Sequence, residues 1–329
     1  MSSQRAVLTP QMIEYTERLY ENGDVRWLPY LLYFHPADHR SDIANTDRFG
    51  FRFAHGIDVR AAPGEGVPNG PVRLLVGSSV VFGVGATCDE ATLPSRLWSR
   101  HAPSLPWLNF GGRSHNSMQE LLLFLLHRHL IPQVEEIVIF SGFNNLGLAR
   151  LPESKRGDHG AFYLCNEYFA KIEELRKHPR RELVELGDDG VPSSADQIAT
   201  ATELTVRHLD AWRVLAAGLG ARLSFVLQPL APWVRERPAP QERLLFDELD
   251  AKFDFGATFG DITPMEVGRS YADALRVGCA KLAVPFYDMN TVLGESVKPD
   301  EWLFVDRAHF TDNGYDIVAG LLADRLGLR

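Results

Sequence analysis

Ser79 follows the apolar run Val72 to Val76 and the Gly77-Ser78 pair, while Asp306 and His309 stand three residues apart near the other end of the chain. Together these side chains can perform nucleophilic acyl chemistry. A serine hydroxyl is a poor nucleophile near neutral pH. An imidazole must take its proton, and a carboxylate must hold that imidazole in the right tautomer. Two polar stations lie between them, Asn109 to Ser117 and Gly142 to Asn145. They supply the donors that a developing oxyanion requires. Each residue taken alone has a plainer role. A serine after a strand is most often a turn residue, and an aspartate ahead of a helix is favoured by the helix dipole.

The elements that must carry these residues form a regular pattern from Val72 onward. Apolar runs predict strands at Val72 to Val76, Trp107 to Phe110, Glu136 to Phe140, Leu223 to Leu227 and Val284 to Tyr287. Longer periodic stretches predict helices at Thr92 to His101, Ser117 to Leu130, Asp196 to Leu219 and Met265 to Leu282. A last helix is expected over Thr311 to Leu326, with Thr311 as its cap. Strands alternating with helices imply a parallel sheet between helical layers. The expected fold is therefore a three-layer α/β/α, flavodoxin-like arrangement around a five-stranded parallel sheet. Ligands gather at the carboxyl ends of such strands, and every polar station follows a strand or precedes a helix.

Residues 1–70 read as an ordered N-terminal extension packed on the core, and 71–329 as the catalytic unit. In the extension, Thr9-Pro10 predicts a cap and first helical residue for an amphipathic helix. Met12, Tyr15 and Leu19 form its stripe, widened by Ile13 and Tyr20. Phe49, Phe51 and Phe53 alternate and must pack somewhere. Residues 148–196 interrupt the strand–helix pattern. They read as an inserted cap or lid, with one helix from Ala161 to Lys177.

The 329 residues are 45% hydrophobic, enough for a full core, and their formal net charge of -9 argues against nucleic acid as a partner. Cys88, Cys165 and Cys279 are far apart, so neither a disulfide framework nor a structural zinc site is inferred. No His/Asp/Glu spacing suggests another metal site. The polar, acid-bearing N-terminus lacks the features of a secretory signal. The strongest apolar run, Leu121 to Leu126, is too short to span a bilayer. A soluble cytoplasmic protein without a membrane partner is the expectation.

Four stations, in order, resemble those of the SGNH, or GDSL-like, hydrolase superfamily. Gly77-Ser78-Ser79 resembles the nucleophile block, with Ser78 in place of the usual Asp. Asn109 to Ser117 resembles the second block, with Ser114 at a position usually held by Gly. Gly142-Phe143-Asn144-Asn145 resembles the third, with Asn145 replacing Asp, and Asp306-Arg307-Ala308-His309 resembles the last. The resemblance implies Ser79 as nucleophile, His309 as base and Asp306 as its orienter. It implies an oxyanion hole made by the backbone N–H of Ser79, that of Ser114 and the side-chain amide of Asn144. A left-handed backbone at Ser114 would be strained.

Three further residues are candidates for touching substrate: Asn145, Gln228 at the end of the fourth strand, and Arg113. His115 and Arg307 also flank the stations but read as ordinary loop residues. The expected activity is a serine esterase or O-acyltransferase. It would act on a small-molecule or carbohydrate ester, with an acyl acceptor in the second case and no cofactor in either. Two alternatives stay open: a non-catalytic ligand-binding protein on the same fold, motivated by Ser78, Ser114 and Asn145, and a nucleotide-binding protein using Gly83-Val84-Gly85.

Overall fold

The computed structural model describes residues 3–21, 26–152, 156, 160–163, 191–251 and 255–328. Five strands form one parallel sheet: β1 (Pro71–Gly77), β2 (Trp107–Gly111), β3 (Gln133–Ser141), β4 (Arg222–Leu227) and β5 (Phe286–Asp288), in spatial order β2-β1-β3-β4-β5. Val72, Leu74, Leu75 and Val76 of β1 are all fully buried. A central parallel strand is covered on both faces, so its sequence is a continuous apolar run rather than an alternation. The strand order reverses direction between β1 and β3, and the crevice outside their carboxyl ends is where this topology opens a site.

Helices cover both faces, giving the three layers expected. The elements used below are α1 (Ser79–Phe82), α2 (Ser117–His127), α3 (Phe143–Ala149), α4 (Ser194–Leu219), α5 (Pro240–Asp250), α6 (Met265–Lys281), α7 (Met289–Ser296) and α8 (Asp312–Leu326). α4 packs against α2, α3 and α6, whereas α8 packs on the turns around Leu93–Arg96 and on α7. The start of α2 is set by a reciprocal cap: Asn116 accepts from the Gln119 N–H at 2.9 Å, and Gln119 accepts from the Asn116 N–H at 3.2 Å. Thr311 caps α8 by accepting from the Gly314 N–H at 3.0 Å.

The N-terminal helix departs from expectation. Thr9 closes a short helix, Gln4–Leu8, by bonding back to the Arg5 carbonyl instead of opening the next one. The following helix is wound wide over Glu14–Glu21. Met12, Tyr15 and Leu19 are buried as the stripe predicts, but Ile13 lies on the opposite side and is 48% exposed. The Tyr20 side chain lies outside the described residues. Downstream, Arg26–Leu28 pairs with Leu32–Phe34 as an antiparallel hairpin, and Ala54–His55 pairs with Arg60–Ala61. Phe51 and Phe53 enter the main core beside β1 and β2 residues, with Phe49 packed against it. Helix α5 forms over Pro240–Asp250, a stretch for which no helix is predicted from the sequence.

Of the expected cap over 148–196, the helix from Ala161 to Lys177 lies almost wholly outside the described residues. Among those described, no helix is long and apolar enough to cross a membrane.

Candidate active site

Ser79 is the first residue of α1, directly after β1 ends. The turn is tight because two glycines let backbones meet. A Cβ on Gly77 would stand 2.2 Å from the Phe140 carbonyl oxygen of β3, and one on Gly111 would stand 2.1 Å from the Phe82 nitrogen of α1. A larger residue at Gly77 would collide with β3, and one at Gly111 with the backbone of α1.

His309 arrives from the other end of the chain. Its Nε2 lies 2.8 Å from Ser79 Oγ, across a sequence separation of 230. Its Nδ1 lies 2.8 and 2.9 Å from the two Asp306 oxygens. Asp306 Oδ1 also accepts the Ala308 and His309 N–H groups, each at 2.9 Å. Burial opposes ionisation of Asp306. The His309 charge, its ring hydrogen bond and those two N–H groups outweigh it and hold the carboxyl below its usual range. An ionised carboxylate only accepts, so Nδ1 carries a hydrogen whether or not the ring is charged, and in the neutral ring Nε2 accepts from the Ser79 hydroxyl. Both side chains stay partly open, His309 at 19% and Asp306 at 21%.

The segment bearing Asp306 and His309 is anchored from several sides. The Ala231 N–H donates to the Arg307 carbonyl at 2.8 Å. The Arg307 guanidinium pairs with both Asp250 oxygens at 2.7 and 2.6 Å and lies over the Phe246 and Phe255 rings. Upstream, buried Glu242 of α5 accepts the Leu303 and Phe304 N–H groups at 2.9 and 3.0 Å and an Arg235 ion pair at 2.7 Å. Sequence reading missed Glu242. Its signal was present: Pro240 and Glu242 at the first and third positions of a helix.

The second station contains the strain anticipated for it. Ser114 has φ +57, in the left-handed region, which costs a non-glycine residue about 1–2 kcal/mol. Tyr33 and His35 hold it there. The Tyr33 hydroxyl donates to the Ser114 carbonyl at 2.9 Å, the Arg113 N–H donates to His35 Nε2 at 3.1 Å, and His115 Nε2 donates to the Tyr33 carbonyl at 3.1 Å. Burial keeps both imidazoles neutral: it pushes the pKa of His35 well below the usual value and that of His115 down to about 4. Among the described residues, the N–H groups of Ser79 and Ser114 make no hydrogen bond within the protein. Asn144, in the first turn of α3, donates one Nδ2 hydrogen to the His115 carbonyl at 2.7 Å. The amide has a second hydrogen to offer.

The three residues expected at the substrate each hydrogen-bond within the protein. Asn145 donates to Ser117 Oγ and Thr205 Oγ1, both at 2.6 Å. It follows Asn144 by one helical residue, a turn of about 100°, and so faces a different neighbour. Gln228 is 1% exposed and accepts from the Ser78 hydroxyl at 3.1 Å. Ser78 is thus tied to the residue that follows β4. Arg113 donates to the Tyr15 carbonyl at 2.7 Å. The Gly83-Val84-Gly85 loop is also occupied: the Val84 carbonyl accepts from Tyr315 at 2.7 Å and the Gly85 carbonyl from Gln11 at 2.8 Å. Tyr33, His35 and Arg52 carry no motif and were missed. Arg52 is fully buried, pairs with Asp89 at 2.7 Å and donates to the Gly83 carbonyl at 2.9 Å, which secures the far end of α1.

Fold and site together define a class: a parallel α/β protein with a linked serine, histidine and aspartate at the carboxyl edge of its sheet. No family model matches the chain, and no curated protein does. Solved structures do. A member of the lipolytic G-D-S-L family from Veillonella parvula is 11% identical over 78% of this chain and 97% of that one, with a TM-score of 0.44. The M. smegmatis aryl esterase is 14% identical over 78% and 99%, with a TM-score of 0.44. A lipase/acylhydrolase from Enterococcus faecalis is 13% identical over 78% and 95%, also at 0.44. The likeness to these G-D-S-L lipases, esterases and acylhydrolases is one of fold.

Proposed function

We propose that this protein is a serine esterase or O-acyltransferase of the SGNH type, working through an acyl-enzyme. The observation that carries the reading is the contact chain Ser79 Oγ, His309 Nε2, His309 Nδ1, Asp306, closed across 230 residues of sequence. In the first step Ser79 Oγ bonds to the ester carbonyl carbon, and its proton passes to His309 Nε2. The charge that forms on the carbonyl oxygen is met by the N–H groups of Ser79 and Ser114 and by Asn144 Nδ2. A donor of this kind is worth about 2.7–4 kcal/mol of barrier. Collapse breaks the bond to the leaving alcohol, which takes the proton from His309, and leaves the acyl group on Ser79. Water or an acceptor hydroxyl then attacks in the same way, returning the serine.

The ester of a small molecule or carbohydrate is the proposed substrate class. Hydrolysis and transfer share every residue named and differ only in what enters at the second step. The test is labelling with a fluorophosphonate, together with turnover of short-chain p-nitrophenyl esters with and without added alcohols. Wild type should label and turn over, and Ser79→Ala should do neither. His309→Ala should lose most of both. Equal rates in all three would end this reading and favour a ligand-binding protein. A product ester formed from the added alcohol would identify transfer.

A further inference from the structure

We propose that the Tyr33 hydroxyl is a positioning group for catalysis, holding Ser114 in the left-handed conformation that presents the Ser114 N–H to the substrate oxyanion. The inference rests on the reading of Ser79 and Ser114 above. Two torsions aim that N–H: ψ of Arg113 and φ of Ser114. The structure brackets both. His35 Nε2 holds the Arg113 N–H on one side, and the Tyr33 hydroxyl holds the Ser114 carbonyl on the other. His115 adds a third tie by donating to the Tyr33 carbonyl. A serine released from these ties has no reason to stay at φ +57.

The clamp is itself rigid. Tyr33 is 3% exposed, pairs in register with Trp27 across the hairpin, and stands edge-on to the Trp27 and His115 rings at 6.0 and 5.6 Å. His35 donates to the Gly50 carbonyl, and its ring lies 3.8 Å from that of Phe82 in α1. The same histidine therefore touches the helix that carries Ser79 and the loop that carries Ser114. The N-terminal extension sets the distance between the two backbone donors, and this explains how a serine can stand where glycine would adopt the bend freely.

The test compares Tyr33→Phe in two backgrounds, the native Ser114 and Ser114→Gly. It reads the rate of fluorophosphonate labelling, and kcat and KM on p-nitrophenyl acetate. In the native background, Tyr33→Phe should lower the labelling rate and kcat about tenfold or more, with KM nearly unchanged. In the Ser114→Gly background it should change either by less than about twofold, because glycine needs no clamp. An equal loss in both backgrounds, or no loss in either, overturns the proposal. If Tyr33→Phe alone does not fold, Tyr33→Phe/Ser114→Gly is judged against Ser114→Gly by the same ratio. Failure of the underlying reading is distinguishable, because Ser79→Ala would then label like wild type. In that event a crystal structure of Tyr33→Phe decides: loss of the left-handed φ at Ser114 supports the clamp, and its retention overturns it.

Discussion

Ser141 donates its hydroxyl to Glu120 Oε1 at 2.6 Å inside the protein, and Glu120 Oε2 has no partner among the described residues. Ser141 ends β3 one residue before Gly142, so this contact sits beneath the Asn144 station. Burial pushes the Glu120 carboxyl up to about 8, with the Ser141 bond opposing it only in part. Unfolded, the group would ionise near 4.5. Between these values the folded protein holds a proton that the unfolded chain has released. Stability should therefore fall as pH rises through that window, by an amount on the order of a few kcal/mol. Glu120→Gln should remove the fall. Denaturation midpoints measured at steps from acid to about pH 9 check this, and parallel profiles for both proteins would contradict it.

Asp306→Asn should lower kcat/KM by about 10⁴-fold, because an amide no longer secures the tautomer in which Nε2 accepts from Ser79. Steady-state kinetics on a p-nitrophenyl ester measure it, and a loss under tenfold would show that His309 does not depend on its partner. The depressed pKa of Asp306 also has a stability consequence. Its contribution is present above the usual carboxylate range and is lost as pH falls through the lowered value. The variant should accordingly be less sensitive to acid.

Arg52→Met should destabilise the protein by about 3–5 kcal/mol, since it leaves Asp89 buried without its cation. The same change strips the donor from Tyr15 at 2.8 Å and from the Phe82 and Gly83 carbonyls at 3.2 and 2.9 Å. Arg52→Met/Asp89→Asn should recover part of the loss. Chemical denaturation of the three proteins tests both statements, and a double variant less stable than Arg52→Met would refute the ion-pair account.

Glu242→Gln should cost about 1.5–3 kcal/mol, the worth of a hydrogen bond to a charged group, and should lower kcat as well. The reason is position: the Leu303 and Phe304 N–H groups that Glu242 holds lead directly into Asp306. Arg235→Met should act in the same direction. Thermal melts and kinetics on one preparation check the pair. Lost stability with kcat intact would show that the loop does not need this anchor.

Much of the scaffold was legible because burial leaves a local record. The run Val72 to Val76 is apolar because both faces of β1 are covered, and Thr311 announces α8 because a helix end must satisfy its free N–H groups. The direction of individual side chains was less legible. Asn144 and Asn145 are adjacent and alike in sequence, yet one bonds the His115 carbonyl and the other bonds Ser117 and Thr205. Gln228 was rightly put at a strand end, but whether a strand-end amide faces solvent or its neighbour depends on what packs above it. Here that is Ser78.

By itself the sequence determined the alternation of strands and helices, the order of the polar stations and the residue types able to activate a serine. Those properties follow from local burial, capping and side-chain chemistry. Tertiary structure alone decided that His309 reaches Ser79, because only the strand order brings the end of β1 under a loop that follows it by 230 residues. It also decided that Tyr33 and His35 hold the Ser114 loop. A contact between distant segments leaves no periodic trace in either of them; it exists only once both have packed on the same sheet edge.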